Sequence, residues 1–343
     1  MGLQCGISRY RGRMSGKPFQ SVLRPYESEV YEYLGRNISY RGIAESLNKK
    51  YGLRISHNAV YSFVTAASRK NRLKKAFYDG LDSDLKKNLL KQITAVWTYD
   101  SNSIEGNTLT LGETMQVLEF GLTISGKPLK DHQEVYGHAR AIDMIRNIIS
   151  AGDLTVDYIF ELHRAIMPQS PADALNPIGA WKRDYNGTTG ILDGQRKYIE
   201  YVAPPSVPVF MAQWLKDFNR IPDASGSMSM AMDAYTWVHM TFVRIHPFFD
   251  GNGRMARLLA NIPVLRGGFP PILVSPEQRG RYIELLWSYQ LSVGELKRGG
   301  VLMPEHKAVD DFKKLLTGEW QKVMELVAEV RAIQAKRNAN QVG

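Results

Sequence analysis

The stretch from His246 to Arg257, HPFFDGNGRMAR, gathers an imidazole, a carboxylate, two glycines and two arginines in one short segment. Its Gly-Asn-Gly segment at 251–253 exposes successive backbone N–H groups as an anion-binding nest, and a helix beginning near Arg254 adds its positive end. Arg254 and Arg257 lie three apart on that helix, so both side chains can contact one polyanion. The spacing predicts a polyphosphate site at the start of a helix.

Asp250 and His246 indicate what such a site does with the polyphosphate. A carboxylate beside the nest would repel phosphate unless Mg²⁺ lies between them, so Asp250 is a candidate metal ligand. His246 precedes the loop and is positioned to take a proton from an attacking group. The stretch therefore predicts a nucleoside triphosphate with Mg²⁺ and an acceptor hydroxyl.

Other nucleotide and metal motifs do not account for the stretch. Gly251-x-Gly253-x-x-Ala256 matches the dinucleotide-binding pattern, but that pattern requires a preceding strand and repeated strand–helix alternation, whereas a long amphipathic segment and His-Pro precede it here. The sequence contains no P-loop, zinc-type Cys/His spacing or HExxH motif. Glu134 and His138, one helical turn apart, are interpreted as a satisfied pair rather than a metal site.

The stretch resembles the signature of the Fic (Fido) family, His-x-Phe-x-Asp/Glu-Gly-Asn-Gly-Arg-x-x-Arg, at every defining position. The similarity extends from about Ser101 to Tyr289 and includes SNSIEGNTLTLGET, GKPLKDHQEVYGHARAIDMI and GGFPPILVSPEQRGRYIELL. The resemblance implies a mainly α fold, in which a β-hairpin flap covers the active site of a compact helical core. It also implies transfer of AMP from ATP to a protein hydroxyl.

Carried over by position, the resemblance gives the signature residues their roles. His246 becomes the general base on a Ser, Thr or Tyr hydroxyl of the target, whose oxygen attacks the α-phosphorus as pyrophosphate departs. Asp250 would hold Mg²⁺ against the α- and β-phosphates, and the amides of 251–253 would cradle them. Arg254 and Arg257 would grip the β- and γ-phosphates.

The resemblance also assigns residues outside the signature. Tyr282 and Gln290 match positions that line the adenine pocket, although Gln290 replaces a more common Asn. The flap near Ile199 to Val202 would clamp the nucleotide and pair with the backbone of the target protein. The nucleotide-binding residues implied in this way are Asp250, Gly251, Asn252, Gly253, Arg254, Met255, Ala256, Arg257, Tyr282, Ile283, Gln290, Ile199, Glu200, Tyr201 and Val202.

A second motif, Ser101-Asn-Ser-Ile-Glu105-Gly106, precedes the signature in the chain. It resembles the inhibitory helix of the family, Ser/Thr-x-x-x-Glu-Gly/Asn, in which Glu105 would form an ion pair with Arg257. A carboxylate on that arginine competes with phosphate for the same bidentate site. The resemblance therefore implies an autoinhibited protein adenylyltransferase, with Ser101 and Glu105 as inhibitory residues.

Three alternatives stay open at this level. Some members of the family transfer another phosphate-containing group, and in others the inhibitory glutamate assists removal of AMP from a modified target. The third alternative is a DNA-binding transcriptional regulator in which the Fic core senses a nucleotide. The target protein is also open, and the chain itself is one candidate.

Basic charge is concentrated at the start of the chain. Residues 1–75 contain 15 Lys and Arg against 4 Asp and Glu, while the remainder contains 29 basic and 30 acidic side chains, and the whole chain carries a net charge of +10. A basic segment attached to a neutral body is typical of proteins that bind a polyanion, most often nucleic acid. Residues 1–78 are therefore a candidate module for duplex DNA.

This basic module has a helix-turn-helix-like pattern. A helix is predicted from Tyr40 to Lys50, Tyr51-Gly52 breaks it, and Ser56 is a plausible N-cap for a second helix reaching Arg69. The turn is longer than in the standard motif, and a helical hairpin with merely solvated lysines is the alternative. The groove-facing candidates would be His57, Asn58 and Tyr61.

The rest of the chain reads as helical, with one exception. Thr110 and Glu113 form a capping box for a helix that Gly121 ends. By contrast, residues 188–202, TTGILDGQRKYIEYV, have β-rich flanks around Asp193-Gly194 and predict a hairpin. A lone hairpin has unpaired edges, so it serves either as a docking edge for a partner strand or as a loop excursion.

These patterns divide the chain into four parts. We expect a basic domain at 1–78, a helical segment with the inhibitory motif at 79–152, a Fic core at 153–300 and a C-terminal helix at 301–343. That last helix could pack on the core or mediate a homodimer. A single cysteine and the absence of a long apolar run argue against an internal disulfide and a membrane span, so a cytoplasmic protein is expected.

Overall fold

The computed structural model describes residues 22–26, 29–30, 32–33, 40–56, 59–60, 63, 76–167, 177–192, 195–221 and 227–342. The chain divides into two compact units, residues 1–70 and 71–343. None of the helices in the described ranges is both long and apolar enough to cross a membrane. The predicted mainly α fold with one β-hairpin is confirmed.

The first unit has a small core of its own around helix α1 (Tyr40–Tyr51). Ile43 and Leu47 are fully buried on one face of this helix. The Asn48 side chain, near the end of this helix, bonds both the N–H and the C=O of Ile55, which follows the helix, at 2.9 Å. Ser56 Oγ then accepts the Ala59 N–H, as expected of an N-cap. His57, Asn58 and Tyr61 lie outside the described residues, so the helix-turn-helix assignment stays a prediction.

The second unit contains the remaining helices and the hairpin. In chain order they are α2 (Ser83–Ile104), α3 (Leu111–Phe120), α4 (Leu129–Ala151), α5 (Val156–Ile166), β1 (Gly187–Leu192), β2 (Gln195–Glu200), α6 (Val207–Phe218), α7 (Met228–Ile245), α8 (Asn252–Arg266), α9 (Arg279–Val293) and α10 (Lys307–Val342).

Helices α7 and α8 form the centre of this unit and are joined by the loop from His246 to Gly251. Helix α8 is apolar around most of its circumference, and Met255 through Ile262 are buried on every side. A helix with apolar residues all round is stable only when other elements surround it. The chain therefore holds the start of α8, where the predicted anion site lies, on a rigid central element.

Helices α2, α4 and α5 pack against α8, and α3 packs on α2 and α4. The Thr110 Oγ1 accepts the Glu113 N–H and the Glu113 carboxylate accepts the Thr110 N–H, so α3 begins with the expected capping box, and it ends at Gly121 in the left-handed conformation. Helices α4 and α5 approach closely at Gly137, where a Cβ would lie 2.1 Å from the Ala165 carbonyl oxygen. Both helices contact Arg254 in the first turn of α8, α4 through Glu134 and α5 through the Ile166 carbonyl.

The predicted hairpin is present, with an antiparallel register that pairs Leu192 with Gln195 and Gly187 with Glu200. Asp193 and Gly194, where the sequence predicts the turn, lie outside the described ranges. A Cβ on Gly190 would lie 1.7 Å from the Trp287 indole, so glycine at this position lets α9 pack directly on β1. The hairpin is thereby held over the helical core.

The C-terminal helix α10 packs on the core of its own chain. Phe312, Leu316 and Trp320 are buried among the core residues, and Trp320 Nε1 donates to the Pro270 carbonyl at 2.9 Å. Of the two roles left open for this helix, packing on the core is the one that the structure shows.

Candidate active site

His246 ends α7 in the left-handed conformation, with φ of 53°, and among the described residues it is the only non-glycine with positive φ. Its Nδ1 lies 3.1 Å from the Val243 carbonyl, which can only accept, so Nδ1 carries the proton and Nε2 has a free lone pair. The ring stacks on Tyr201 with centroids 3.8 Å apart. Burial lowers the pKa of His246 to about 3. The imidazole is therefore neutral and able to accept a proton at Nε2.

The loop after His246 is held by buried side chains. Asn252 accepts the Phe248 N–H at 3.0 Å and donates to the Phe248 carbonyl at 2.8 Å, closing the loop from within. The fully buried Phe248 ring stacks on His163 at 3.8 Å. His163 Nδ1 accepts the Gly179 N–H, so its Nε2–H donates to the Asp250 carbonyl at 3.1 Å. The loop geometry is thus fixed from two sides.

Helix α8 begins with a positive N-terminal end facing the loop. Gly251 has φ of 77°, a conformation that favours glycine. The first N–H groups of a helix have no helical acceptor, and those of Asn252 and Gly253 belong to this turn. Asp250 is exposed beside them, and its Oδ1 accepts the Gly251 N–H at 2.6 Å. This turn can bind an anion, with a carboxylate at its edge.

Arg257 projects from the next turn of α8 into a network with α2. Its Nη2 donates to Glu105 Oε1 at 2.7 Å and to the Ser101 carbonyl at 2.8 Å, and its Nε donates to Ser101 Oγ at 3.0 Å. Tyr282 OH lies 3.3 Å from Nη1. The arginine is 3% exposed, whereas the Glu105 side chain is 34% exposed. Ser101 and Glu105 therefore occupy the guanidinium group that was predicted to bind a phosphate.

Glu105 also covers the first turn of α8. A Cβ on Gly253 would lie 2.4 Å from Glu105 Oε1, so the carboxylate lies directly against the backbone of that turn. Burial by itself raises the pKa of Glu105, but the charge and hydrogen bond of Arg257 outweigh it, and the pKa lies below its ordinary value. The Glu105 carboxylate therefore neutralises Arg257 beside the first turn of α8.

One cavity, which opens to solvent, brings together His246, Glu105, Gly253 and Arg257. The predicted residues Asp250, Gly251 and Asn252 do not line it. The remaining predicted residues that line the cavity are Tyr201, Tyr282, Ile283 and Gln290.

The sequence model of the Fic/DOC family matches residues 153–263, the segment from α5 to α8 that contains His246 and Arg257. This chain carries a Fic/DOC domain. The chain is 30% identical over 213 residues to protein adenylyltransferase fic-1 of Caenorhabditis elegans, a match that covers 61% of this chain and 39% of that protein. It is 32% identical over 192 residues to protein adenylyltransferase Fic of Drosophila persimilis, covering 55% of this chain and 34% of that protein.

Solved structures show the same fold. A Fic-domain-containing signalling protein of Bacteroides thetaiotaomicron superposes with a TM-score of 0.64 at 26% identity, covering 78% of this chain and 97% of that one. Fic-1 of C. elegans superposes with a TM-score of 0.55 at 21% identity, covering 92% of this chain and 86% of that one. The chain spans less than half the length of the curated relatives it matches.

Not every predicted site residue of the Fic domain faces the cavity. Arg254, expected to share the polyphosphate with Arg257, is 3% exposed and instead donates to Glu134 Oε1 at 3.1 Å. It lies on the side of α8 that faces α4, so a buried carboxylate already neutralises it. Met255 and Ala256 are fully buried core side chains.

The predicted flap residues are divided in the same way. Tyr201 lies in the cavity on His246, whereas Val202 is buried in the core of the domain. Ile199 and Glu200 lie at the end of β2, outside the cavity lining. Most of β2 is exposed, so it offers an edge on which a strand can pair.

Several residues of the site were not predicted from the sequence. Thr188, Arg244 and Trp287 line the cavity. Leu286 does too, and it could have been found, because Tyr282, Leu286 and Gln290 recur every four residues on one face of α9. The buried Arg244 donates to backbone carbonyls, and no local pattern marks such contacts.

Proposed function

We propose that this chain is an autoinhibited protein adenylyltransferase, which moves AMP from ATP to a hydroxyl group of a protein. The observation that carries the proposal is the cavity in which a neutral His246, the first turn of α8 and Arg257 meet, with the Glu105 carboxylate on the arginine. The names of the relatives in C. elegans and D. persimilis support the same reaction class.

The reaction assigned to this cavity needs one base and one anion site. Nε2 of His246, the ring nitrogen without a proton, takes the proton of the target hydroxyl. The hydroxyl oxygen then forms a bond to the α-phosphorus of ATP, and the bond from that phosphorus to the bridging oxygen breaks. The pyrophosphate leaves with its negative charge next to the positive end of α8 and to Arg257.

Asp250 is the residue that would hold Mg²⁺. Among the described residues no group of three or more His, Cys, Asp or Glu side chains is placed to hold a metal ion by itself. Mg²⁺ is usually bound by one or two carboxylates together with substrate phosphates, so a single exposed carboxylate beside the anion site suits it. When bound, the ion would offset the charge of the phosphates.

The proposed autoinhibition is a competition between two anions for Arg257. Glu105 Oε1 lies 2.7 Å from the guanidinium and against Gly253, where a terminal phosphate of ATP would bind. Two negative groups cannot share that position without repulsion. ATP therefore binds productively only when Glu105 has moved away. We place the backbone of the target protein along the exposed edge of the flap, where a strand can pair.

Transfer of label from ATP tests the proposal. Purified protein is incubated with Mg²⁺ and ATP labelled in the AMP group, alone and with a cell extract. We expect Glu105→Gly to label protein far faster than the unaltered chain, and Glu105→Gly/His246→Ala to label none while still binding ATP. Equal labelling by the unaltered chain and Glu105→Gly would refute the inhibitory role, and loss of ATP binding with His246 would give that residue a structural role.

We also propose that residues 1–78 bind duplex DNA, because the excess positive charge of the chain lies there. Lys49 and Lys50 lie in the last turn of α1, within the segment that the Asn48–Ile55 hydrogen bonds close. The Lys50 ammonium also binds Glu29 at 2.7 Å. When binding depends on phosphate contacts, the logarithm of the association constant falls linearly with the logarithm of the salt concentration. Fluorescence anisotropy of labelled duplex with the full chain should show this slope, and salt-independent or absent binding would refute the assignment.

A further inference from the structure

Asn186, the residue before β1, joins the base of the flap to the catalytic loop. Its side-chain amide donates to the Phe248 carbonyl at 2.9 Å and to the Phe249 carbonyl at 3.1 Å. Its Oδ1 accepts the Lys182 ammonium at 2.5 Å. Its backbone carbonyl accepts the Tyr201 N–H at 3.1 Å, at the end of the opposite strand. One residue thus contacts both strand ends of the hairpin and the loop after α7.

These contacts lead directly to Asp250 and to His246. Phe248 and Phe249 immediately precede Asp250, so the two carbonyl bonds fix the backbone that presents the carboxylate. The ring of Tyr201 stacks on His246, with centroids 3.8 Å apart and planes 2° from parallel. A shift of Asn186 would therefore displace both the carboxylate and the ring that holds the imidazole.

Lys182 determines which way the Asn186 amide points. An ammonium group can only donate, so the amide oxygen must face Lys182 and the NH₂ group must face the two loop carbonyls. Lys182 is 3% exposed, and its own backbone N–H donates to the Pro247 carbonyl at 2.9 Å. The lysine is thus anchored to the same loop, and the orientation of the amide is set by charge.

We infer that Asn186 is a positioning residue, which locks the base of the flap to the loop that carries His246 and Asp250. The inference rests on the proposed function, because the loop is catalytic only if the cavity transfers AMP. A target strand that pairs with the hairpin would shift the flap, and Asn186 would transmit that shift to the loop. The position of the flap and the alignment of His246 would therefore change together. A displacement of catalytic groups by about 1 Å can lower the rate about a hundredfold.

The kinetic test uses the Glu105→Gly protein as the parent. Asn186→Ala removes the amide, and Asn186→Asp keeps its shape and its contact with Lys182 but replaces both N–H donors. We expect each to lower kcat about 10- to 100-fold while KM for ATP stays within about threefold, because Arg257 and Tyr282 are untouched. An unchanged kcat, or a loss carried entirely by KM, would overturn the inference.

Asn219→Ala in the same parent is the matched control. The Asn219 amide also bridges a backbone, bonding the Leu154 N–H and C=O at 2.9 Å each, but it lies outside the cavity lining. This variant should lower Tm without lowering kcat. An equal fall in kcat for Asn219→Ala would reduce Asn186 to a general stabilising role.

A spectroscopic measurement decides the inference independently of catalysis. Because the Tyr201 ring stacks on His246, it should shift the NMR signal of the His246 Cε1–H, and Tyr201→Leu should give the position of that signal without stacking. In Asn186→Ala and Asn186→Asp the signal should move toward the Tyr201→Leu position. A signal that stays in place would overturn the inference even if kcat falls. If Glu105→Gly transfers no AMP at all, the proposed function fails, and this comparison still tests the link.

Discussion

Removal of Glu105 is the perturbation whose size the structure defines best. Hydrogen bonds to charged groups contribute about 1.5–3 kcal/mol, and the 2.7 Å contact with Arg257 Nη2 belongs to this class. The Glu105 side chain is 34% exposed, so solvent screening places the contact at the lower end, about 1.5–2 kcal/mol. Since about 1.4 kcal/mol is a factor of ten, Glu105→Gly should tighten ATP binding about 10- to 30-fold.

Arg257 should stay in place in this variant, because it keeps its bonds to Ser101 and Tyr282. Calorimetric titration with Mg²⁺ and ATP measures the affinity, and Glu105→Gln, which keeps the shape but loses the charge, should fall between the two proteins. Glu119→Gly, which breaks the exposed pair with Lys91, is the control and should change the affinity less than twofold. Equal affinities of the unaltered chain and Glu105→Gly would refute the competition.

Three further predictions follow from the environment of single residues. Because burial lowers the pKa of His246 to about 3, the rate of AMP transfer by Glu105→Gly should stay constant from about pH 8 to about pH 5.5. A tenfold fall in that rate over this range would indicate an imidazole with an ordinary pKa. Gly253→Ala should destabilise the unaltered chain by about 1–3 kcal/mol, because the new Cβ would collide with the Glu105 carboxylate. The same substitution should destabilise the Glu105→Gly protein less, and a Tm loss of the double variant equal to the sum of the two single losses would contradict this. Burial, with a smaller effect of Glu277, raises the pKa of Asp100 to about 7. Ionisation of Asp100 therefore destabilises the folded protein increasingly from about pH 4 to about pH 7. Asp100→Asn should raise Tm at about pH 8 but not at about pH 4, and equal shifts at the two pH values would contradict this.

Local chemistry made much of the fold predictable from the sequence. The capping box at Thr110 and Glu113 and the pairing of the two hairpin strands depend on residues that lie close together in the sequence. The nest after Asp250 is local in the same sense. Such features need no knowledge of the tertiary structure, and the mainly α fold with a hairpin follows from them.

Contacts between distant segments were beyond the reach of the sequence pattern. Arg254 looks equivalent to Arg257 on the helix, but Glu134, more than a hundred residues earlier, takes it out of the cavity. The Asn186 amide contacts a loop 62 residues away, and nothing near Asn186 marks it. The pairing of Glu105 with Arg257 is also long-range, and it was anticipated only through a resemblance that covers both segments.

A crystal structure of Glu105→Gly with Mg²⁺ and a non-hydrolysable ATP analogue would test the central claim most directly. We expect the phosphates on the first turn of α8 with the terminal phosphate on Arg257, and His246 Nε2 facing the α-phosphorus on the side away from the leaving group. A polyphosphate bound elsewhere, or an α-phosphorus that His246 cannot reach through an incoming hydroxyl, would contradict the account.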